Sequence, residues 1–471
     1  QPFPAEAKPK KPTMSRSGPP PIPMTADERR ASAGLAGIFA LRMLGLFLIL
    51  PVFAIQARDI PGATPFLIGI AIGIYGLTQA LFQIPFGMLS DRIGRKPVIL
   101  GGLVIFLVGS IVAALATDIY GVIIGRLLQG SGAIAAAIMA LTADLTRESV
   151  RTRAMAGIGI SIALSFALAL VLGPIVAHWG GLPGLFWFIA ALALAGILIL
   201  LLVVPNPVQT SLHRDAEPVA SQFRGVLAEA ELLRLDLGIF TLHLTMTSLF
   251  LVVPLFLGDQ GLAPVDHWLV YLPVLVLSIG AMVPLIIQAE GKGRMKPVFL
   301  GTLLALVLGL LGLNFLGTSV LTVAFWLIVL ITIFNLLEAI LPSMVSKVAQ
   351  AGAKGTAMGV YSTSQFTGAF LGGLIGGWIH QHWGAHAVPV FSALAVLVWF
   401  LVAYGMRPPR QAVPHTIPVG DRASDPSLAE ALLAIPGVEE VLVVVEEGVA
   451  YLKVDKDRVD WARLDAFTAA G

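Results

Sequence analysis

Four ionisable side chains stand inside long apolar stretches of this sequence: Arg42, Arg126, His243 and Glu338. Such groups are costly in hydrocarbon, so they face a protein interior or a watery path and mark routes for ions, protons or substrates. Glu338 is the candidate proton carrier, because a carboxyl inside a helix bundle can be held neutral or charged according to what lies beside it. Its other reading is a fixed hydrogen bond or ion pair between helices, with Asn335 close by on the same helix. His243, alone on an apolar helix, is equally well read as a hydrogen-bonded packing residue. Arg126, with Gln129 one turn on, would organise a pocket and meet an anion or a carboxylate. Arg42 falls where a substrate or proton would bind, or extends its head toward water. His380, His382 and His386 cluster in sequence, but a His-Trp-Gly piece shared with an earlier segment explains them as a repeat, and no metal site is expected.

A second set lies at a predicted membrane edge: Gly87-Met-Leu-Ser-Asp91-Arg92-Ile-Gly94-Arg95-Lys96-Pro97. Its glycines permit a tight turn and close helix approach, and its alternating charges can pair or part in contact with water. Further on, Gly173-Pro174 sits in a helix rich in Gly, Ala and Ser, which favours bending and close packing.

What positions these residues is a membrane. Charged residues are 12% of the chain against ~25% in a soluble domain, hydrophobic residues are 57%, and the mean hydropathy is +0.88. With no cysteine, disulfides, thiolate metal sites and cysteine nucleophiles are excluded. The absence of a Gly-x-x-x-x-Gly-Lys-Ser/Thr loop argues against an ATP-driven pump. Apolar runs able to cross ~30 Å of hydrocarbon fall at roughly 33–55, 66–89, 97–116, 120–142, 154–177 and 183–204, then 236–257, 267–289, 297–317, 320–342, 356–380 and 386–406. Between the sets, 205–235 is polar, and Phe223, Val226, Leu227, Leu233 and Leu237 predict an amphipathic interfacial helix there. The first residues, 1–30, read as a disordered arm without the features of a signal peptide, and Met24 is a candidate start.

Lys and Arg crowd the arm and alternate loops, while the opposite loops hold only Arg58, which places both termini and the linker in the cytoplasm. Three pieces recur in order: Lys96-Pro97-Val98 as Lys296-Pro297-Val298, Ala154-Met155 as Ala357-Met358, and His178-Trp179-Gly180 as His382-Trp383-Gly384. Two six-helix halves, 31–204 and 236–406, follow, with a substrate path between them.

The Gly87–Lys96 segment resembles the signature of the major facilitator superfamily, and Arg126-Leu-Leu-Gln129-Gly130-Ser-Gly132 is similar to its second motif. Gly173-Pro174 resembles the antiporter motif of drug–proton exchangers, although Val176 and Ala177 replace its usual glycine pair. A narrower resemblance, to YajR-type transporters of the proton-linked drug-efflux branch, rests on Glu28–Ala31, Leu41–Gly45, Ile70–Ala80, Lys354–Phe366 and the C-terminal appendage. The resemblance implies that the helices bearing Arg42, Arg126, His243 and Glu338 line a central cavity. It also implies that Asp91 faces the start of the eleventh span near Gly355, and that Arg95 pairs with Asp144, both contacts locking an outward-facing state. The corresponding second-half loop, Glu290–Pro297, lacks the Asp-Arg pair.

After a linker at 407–414, residues 415–471 read as β-α-β-β-α, a ferredoxin-like unit. It resembles metallochaperone domains without their Cys-x-x-Cys, and its acidic balance makes nucleic acid and anionic lipid poor partners. The expected protein is thus an all-α polytopic membrane protein with twelve transmembrane helices in two halves, plus a small α+β ferredoxin-like domain. It is expected to be a monomer of the bacterial inner membrane. Its expected function is secondary transport by alternating access: efflux of hydrophobic or amphipathic small molecules by proton antiport, with the proton as coupling ion and no cofactor. Uptake by proton symport, or a transporter-like sensor whose tail mediates regulation or self-association, stand as alternatives.

Overall fold

The computed structural model describes residues 23–206, 222–288, 295–350, 353–406, 412–445, 447–455 and 458–468. Helix α1 (Ala26–Phe47) begins inside the stretch assigned to the arm. Thr25 accepts from the Glu28 N–H while the Glu28 carboxylate accepts from the Thr25 N–H, a capping box that fixes the helix start. The rest of the arm, 1–22, lies outside the described residues.

The remaining first-half helices are the short α2 (Phe53–Gln56), then α3 (Pro65–Ile93), α4 (Arg95–Ala114), α5 (Ile119–Ser131) with α6 (Ala135–Asp144) as one crossing, and α7 (Glu148–Leu202). The 55 residues of α7 exceed the ~20 that a bilayer needs, and its backbone turns at Gly181 (φ 59°, ψ −159°), so it makes two crossings. The helical geometry runs unbroken through Gly173-Pro174. The second half comprises α8 (Phe223–Ala228), α9 (Ala230–Asp259), α10 (Trp268–Ile286), α11 (Met295–Leu316), α12 (Val320–Val348), α13 (Lys354–Trp383) and α14 (Ala387–Tyr404). Ten helices among the described residues are long and apolar enough to cross a membrane. The double crossing of α7 and the glycine-rich α13, which is long but less apolar, complete twelve.

The predicted interfacial helix corresponds to two elements. Glu229 is extended (ψ 106°) and separates α8 from α9, whose first turns hold Leu233 and Leu237. The amphipathic spacing there is therefore partly that of a spanning helix entering the core. Residues 207–221 of the linker, 289–294 of the second-half loop and 407–411 before the tail lie outside the described residues.

The duplication has a physical counterpart. Lys96 donates to the Val204 carbonyl (2.8 Å) and Lys296 to the Met406 carbonyl (2.5 Å), each at the end of its half's last helix. Arg30 likewise donates to Leu202 O (2.9 Å) and Arg234 to Gly405 O (3.2 Å). The last carbonyls of a helix lack intrahelical donors and carry partial negative charge, so both halves fasten their closing helix with the same two cations.

The halves meet closely on the face opposite the termini, where α3 begins and α13 ends. A Cβ on Gly69 would run into the Gly373 carbonyl oxygen, and one on Gly73 would lie 2.6 Å from Phe370 O. Only glycine permits this backbone-to-backbone seam. Phe66 N–H also donates to the Gln381 side chain across it (3.2 Å).

On the terminus-bearing face sits a small α+β domain: β1 (Ala412–Pro418), α15 (Leu428–Leu433), β2 (Val438–Val444), β3 (Val449–Asp455) and α16 (Trp461–Asp465). Its antiparallel sheet has the order β1-β3-β2, with Ile417, Leu428, Leu432, Ala450, Leu452, Val454 and Leu464 forming its core. The β-α-β-β-α order is as expected from sequence. Lys453 of β3 donates to the carbonyls of Lys347 (2.8 Å) and Val348 (3.2 Å) at the end of α12.

Candidate functional site

The first half holds two guanidiniums around one ring. Arg42 of α1 and Arg126 of α5 are 2% and 1% exposed, and their guanidinium carbons stand 5.9 and 5.0 Å from the Tyr75 centroid. Arg42 donates to Gln79 Oε1 (2.6 Å), and Gln79 donates on to Gln83 (3.2 Å). Arg126 donates to Gln129 Oε1 (2.7 Å) and Ala71 O (3.3 Å), and Gln129 is held in turn by the Ser110 hydroxyl (2.8 Å). Both arginines therefore point into the bundle; Arg42 does not snorkel.

The second half gathers His243 of α9, Glu338 of α12 and Gln365 of α13. His243 Nε2 is 3.3 Å from Glu338 Oε1 and 2.8 Å from Gln365 Nε2, while its Nδ1 is 3.3 Å from Ile239 O. With the Gln365 amide donating to Nε2, the ring proton sits on Nδ1 and bonds Ile239. Nε2 has a single lone pair, which the amide occupies, so Glu338 Oε1 at 3.3 Å stands in contact with the ring without a hydrogen bond of its own. If His243 is doubly protonated instead, the amide turns to present its oxygen, and Glu338 is the carboxylate partner. Two titratable groups thus face each other at a helix junction. Asn335, one turn along α12 from Glu338, is half-buried.

Between the two clusters, Phe166 of α7 touches Phe47 of α1 (ring centroids 5.2 Å apart), Phe250 of α9 (6.2 Å) and Phe334 of α12 (6.4 Å). Phe334 also lies 5.7 Å from the His243 ring. This aromatic group joins the halves beside the His243–Glu338 pair. Nearer the seam, Arg58, Thr64, Ile68, Leu251 and His380 surround a cavity of about 110 Å³ that draws on both halves. His382 and His386 bond elsewhere, to Trp378 O (2.9 Å) and Asn314 (3.0 Å).

At the terminus-bearing rim, Gly94 turns the chain between α3 and α4 with φ 96°. Arg95, 3% exposed, pairs with Asp91 and with Asp144 (3.2 Å) and donates to Ser90 Oγ (2.9 Å). All these groups belong to the first half. The Asp91 carboxylate is engaged by Arg95, and among the described residues it makes no hydrogen bond to Gly355, which is buried in the first turn of α13. Arg92 is exposed, and Gly87 packs on Ala136 of α6. Arg147 binds Glu28 through Nε (2.8 Å) and Nη2 (2.9 Å), tying the start of α7 to α1. Gly173 lets α7 approach the end of α1, where a Cβ would lie 2.6 Å from Leu48 O.

Sequence reasoning passed over Asp236, which is 6% exposed with Oδ2 lacking a partner. It opens the apolar run at 236 and so reads as a boundary residue, whereas α9 starts six residues earlier. Gln79 and Gln365 are neutral and gave no charge signal, though both lie in stretches that carry the family resemblance.

The chain matches the profile of the Major Facilitator Superfamily over residues 35–373 and 291–445. It is 48% identical over 438 residues to the inner membrane transport protein YajR of Escherichia coli K12, covering 92% of this chain and 95% of that one. A shorter similarity, 32% over 160 residues, covers 33% of this chain and 39% of the class B tetracycline resistance protein of Escherichia coli. Among solved structures, a bacterial homologue of the human lysosomal transporter Spinster superposes with a TM-score of 0.68 at 14% identity, over 81% of this chain and 97% of that one.

Proposed function

The chain belongs to the major facilitator superfamily and is a multi-pass transporter, and from that premise we propose that it exports hydrophobic or amphipathic small molecules in exchange for protons. The observation that carries this reading is the contact of Glu338 with His243, two titratable groups 3.3 Å apart beside the aromatic junction of the halves. Alternate access lets such a pair load a proton from one side and release it to the other, with substrate travelling in the opposite sense. The likeness to YajR, an inner membrane transport protein, supports an inner-membrane location, and the shorter likeness to a tetracycline resistance protein supports efflux.

The excess of Lys and Arg in alternate loops supports a cytoplasmic location for the termini. On that orientation the glycine seam lies on the periplasmic side. Asp91, Arg92, Arg95 and Asp144 act as the conformational switch at the cytoplasmic rim, with Gly87 and Gly94 permitting its turn. Gly173-Pro174 shapes the helix crossing on which the first half pivots.

Proteoliposomes with an acidic lumen should take up substrate, because outward proton flow drives inward exchange. Glu338→Gln should reduce this driven flux about tenfold or more while leaving the thermal melt unchanged. Uptake driven by external acid would favour symport and sink the antiport reading, and undiminished driven flux in Glu338→Gln would remove that residue from the mechanism.

A further inference from the structure

Resting on the transport reading, we infer that the preferred substrate is an amphipath with an acidic head group, recognised by Arg42. Two fully buried guanidiniums flank the Tyr75 ring, and among the described residues neither forms an ion pair with a carboxylate. Their hydrogen-bond partners are neutral oxygens: Gln79, Gln129 and the Ala71 carbonyl. An isolated charge in low dielectric is strongly disfavoured, and neutral acceptors with aromatic faces offset only part of that penalty. The compensation is uneven between the two. Arg126 is fastened by an amide and a main-chain oxygen, whereas Arg42 has no acceptor for Nε or Nη1. The Tyr75 hydroxyl beside it lacks a partner too.

The acids within the spans do not fill this deficit. Glu338 and Asp236 belong to helices of the other half, and Glu338 is engaged with His243. An incoming carboxylate or sulfonate would supply the missing acceptor oxygens to Arg42 and Tyr75. Its apolar body would lie on Phe106, whose centroid is 5.9 Å from the Arg42 guanidinium carbon, and reach toward Phe47, which packs with Phe166 and through it with Phe250 and Phe334. The cation lies in one half and the aromatic surface belongs to both. A ligand holding each would therefore bridge the bodies that must move together, which is how binding energy biases a two-state equilibrium.

The test uses full-length protein at neutral pH and three probes with one apolar body: dansyl sulfonate (anion), dansylamide (neutral) and aminoethyl dansylamide (cation). The anion should bind at least about tenfold tighter than the other two. Arg42→Gln should remove that preference, and Arg42→Lys, which keeps a cation, should retain most of it. Where Arg42→Gln lowers the thermal melt, the lysine variant and the wild-type ranking still decide. Equal affinity for all three probes, tighter binding of the cation, or an anion preference that survives Arg42→Gln would overturn the inference, as would absence of binding by any probe. Flux of the same probes separates the two claims: charge-selective binding without flux overturns the transport reading and leaves the acidic-head assignment standing, and flux without charge selectivity does the reverse.

Discussion

The two halves share a fold and fasten their terminus-bearing rims by different means. In the first, side-chain charges meet side-chain charges: Arg95 with Asp144, and Arg147 with Glu28. In the second, Arg234 pairs locally with Glu231 inside α9, while sequence places Met295 where the repeat would have Arg95, and α12 ends in Lys347 and Val348 where α6 ends in Asp144. What both keep are the cations on helix-end carbonyls, Arg30 and Lys96 in one, Arg234 and Lys296 in the other. Carbonyl acceptors persist through any substitution that preserves the helix, whereas an ion pair is lost when either member changes. Duplicated halves can thus diverge in their ion pairs and stay alike in their caps.

That contrast breaks most visibly at Asp144. Replacing it by alanine leaves Arg95 buried with one carboxylate fewer, a loss of about 3 kcal/mol, to be read as a lowered melting temperature. Lys347→Ala at the corresponding end of α12 should change stability by no more than about 0.5 kcal/mol. Equal effects would show that the rims are energetically alike. At the opposite face, Gly69→Val should wedge α3 from α13 and reduce transport about tenfold, equivalent to ~1.4 kcal/mol. Gly101→Val and Gly301→Val, at equivalent positions with nothing within 4 Å of an added Cβ, should leave flux nearly unchanged. The smallest effects sharpen the shared part: Arg30→Ala and Arg234→Ala should each cost about 0.5 kcal/mol. A large difference between them would deny that the caps are equivalent.

Much of this was legible before the structure. Hydropathy and loop charge located all twelve crossings, because hydrocarbon thickness dictates their length, and Lys96 and Lys296 announced the repeat. The matching Arg30 and Arg234 went unread, since they lie in helix starts of otherwise dissimilar sequence. The four ionisable residues within the spans were found by type alone. Pairing was not legible: the approach of His243 to Glu338 depends on how α9, α12 and α13 cross, and the Arg42–Gln79 bond on α1 against α3. Asp236 was hidden by a span boundary, and the amphipathic linker misled because Leu233 and Leu237 already belong to a spanning helix.

The grip of Lys453 on α12 follows the carbonyl rule in a setting where the donor comes from another domain. Because it reads the main chain, the appended sheet is indifferent to which side chains stand at 347 and 348. It depends instead on where the helix stops, and a deletion that moved this end by one residue would rotate the paired oxygens by ~100° and leave the ammonium facing a different surface. Length, rather than composition, is what this junction constrains.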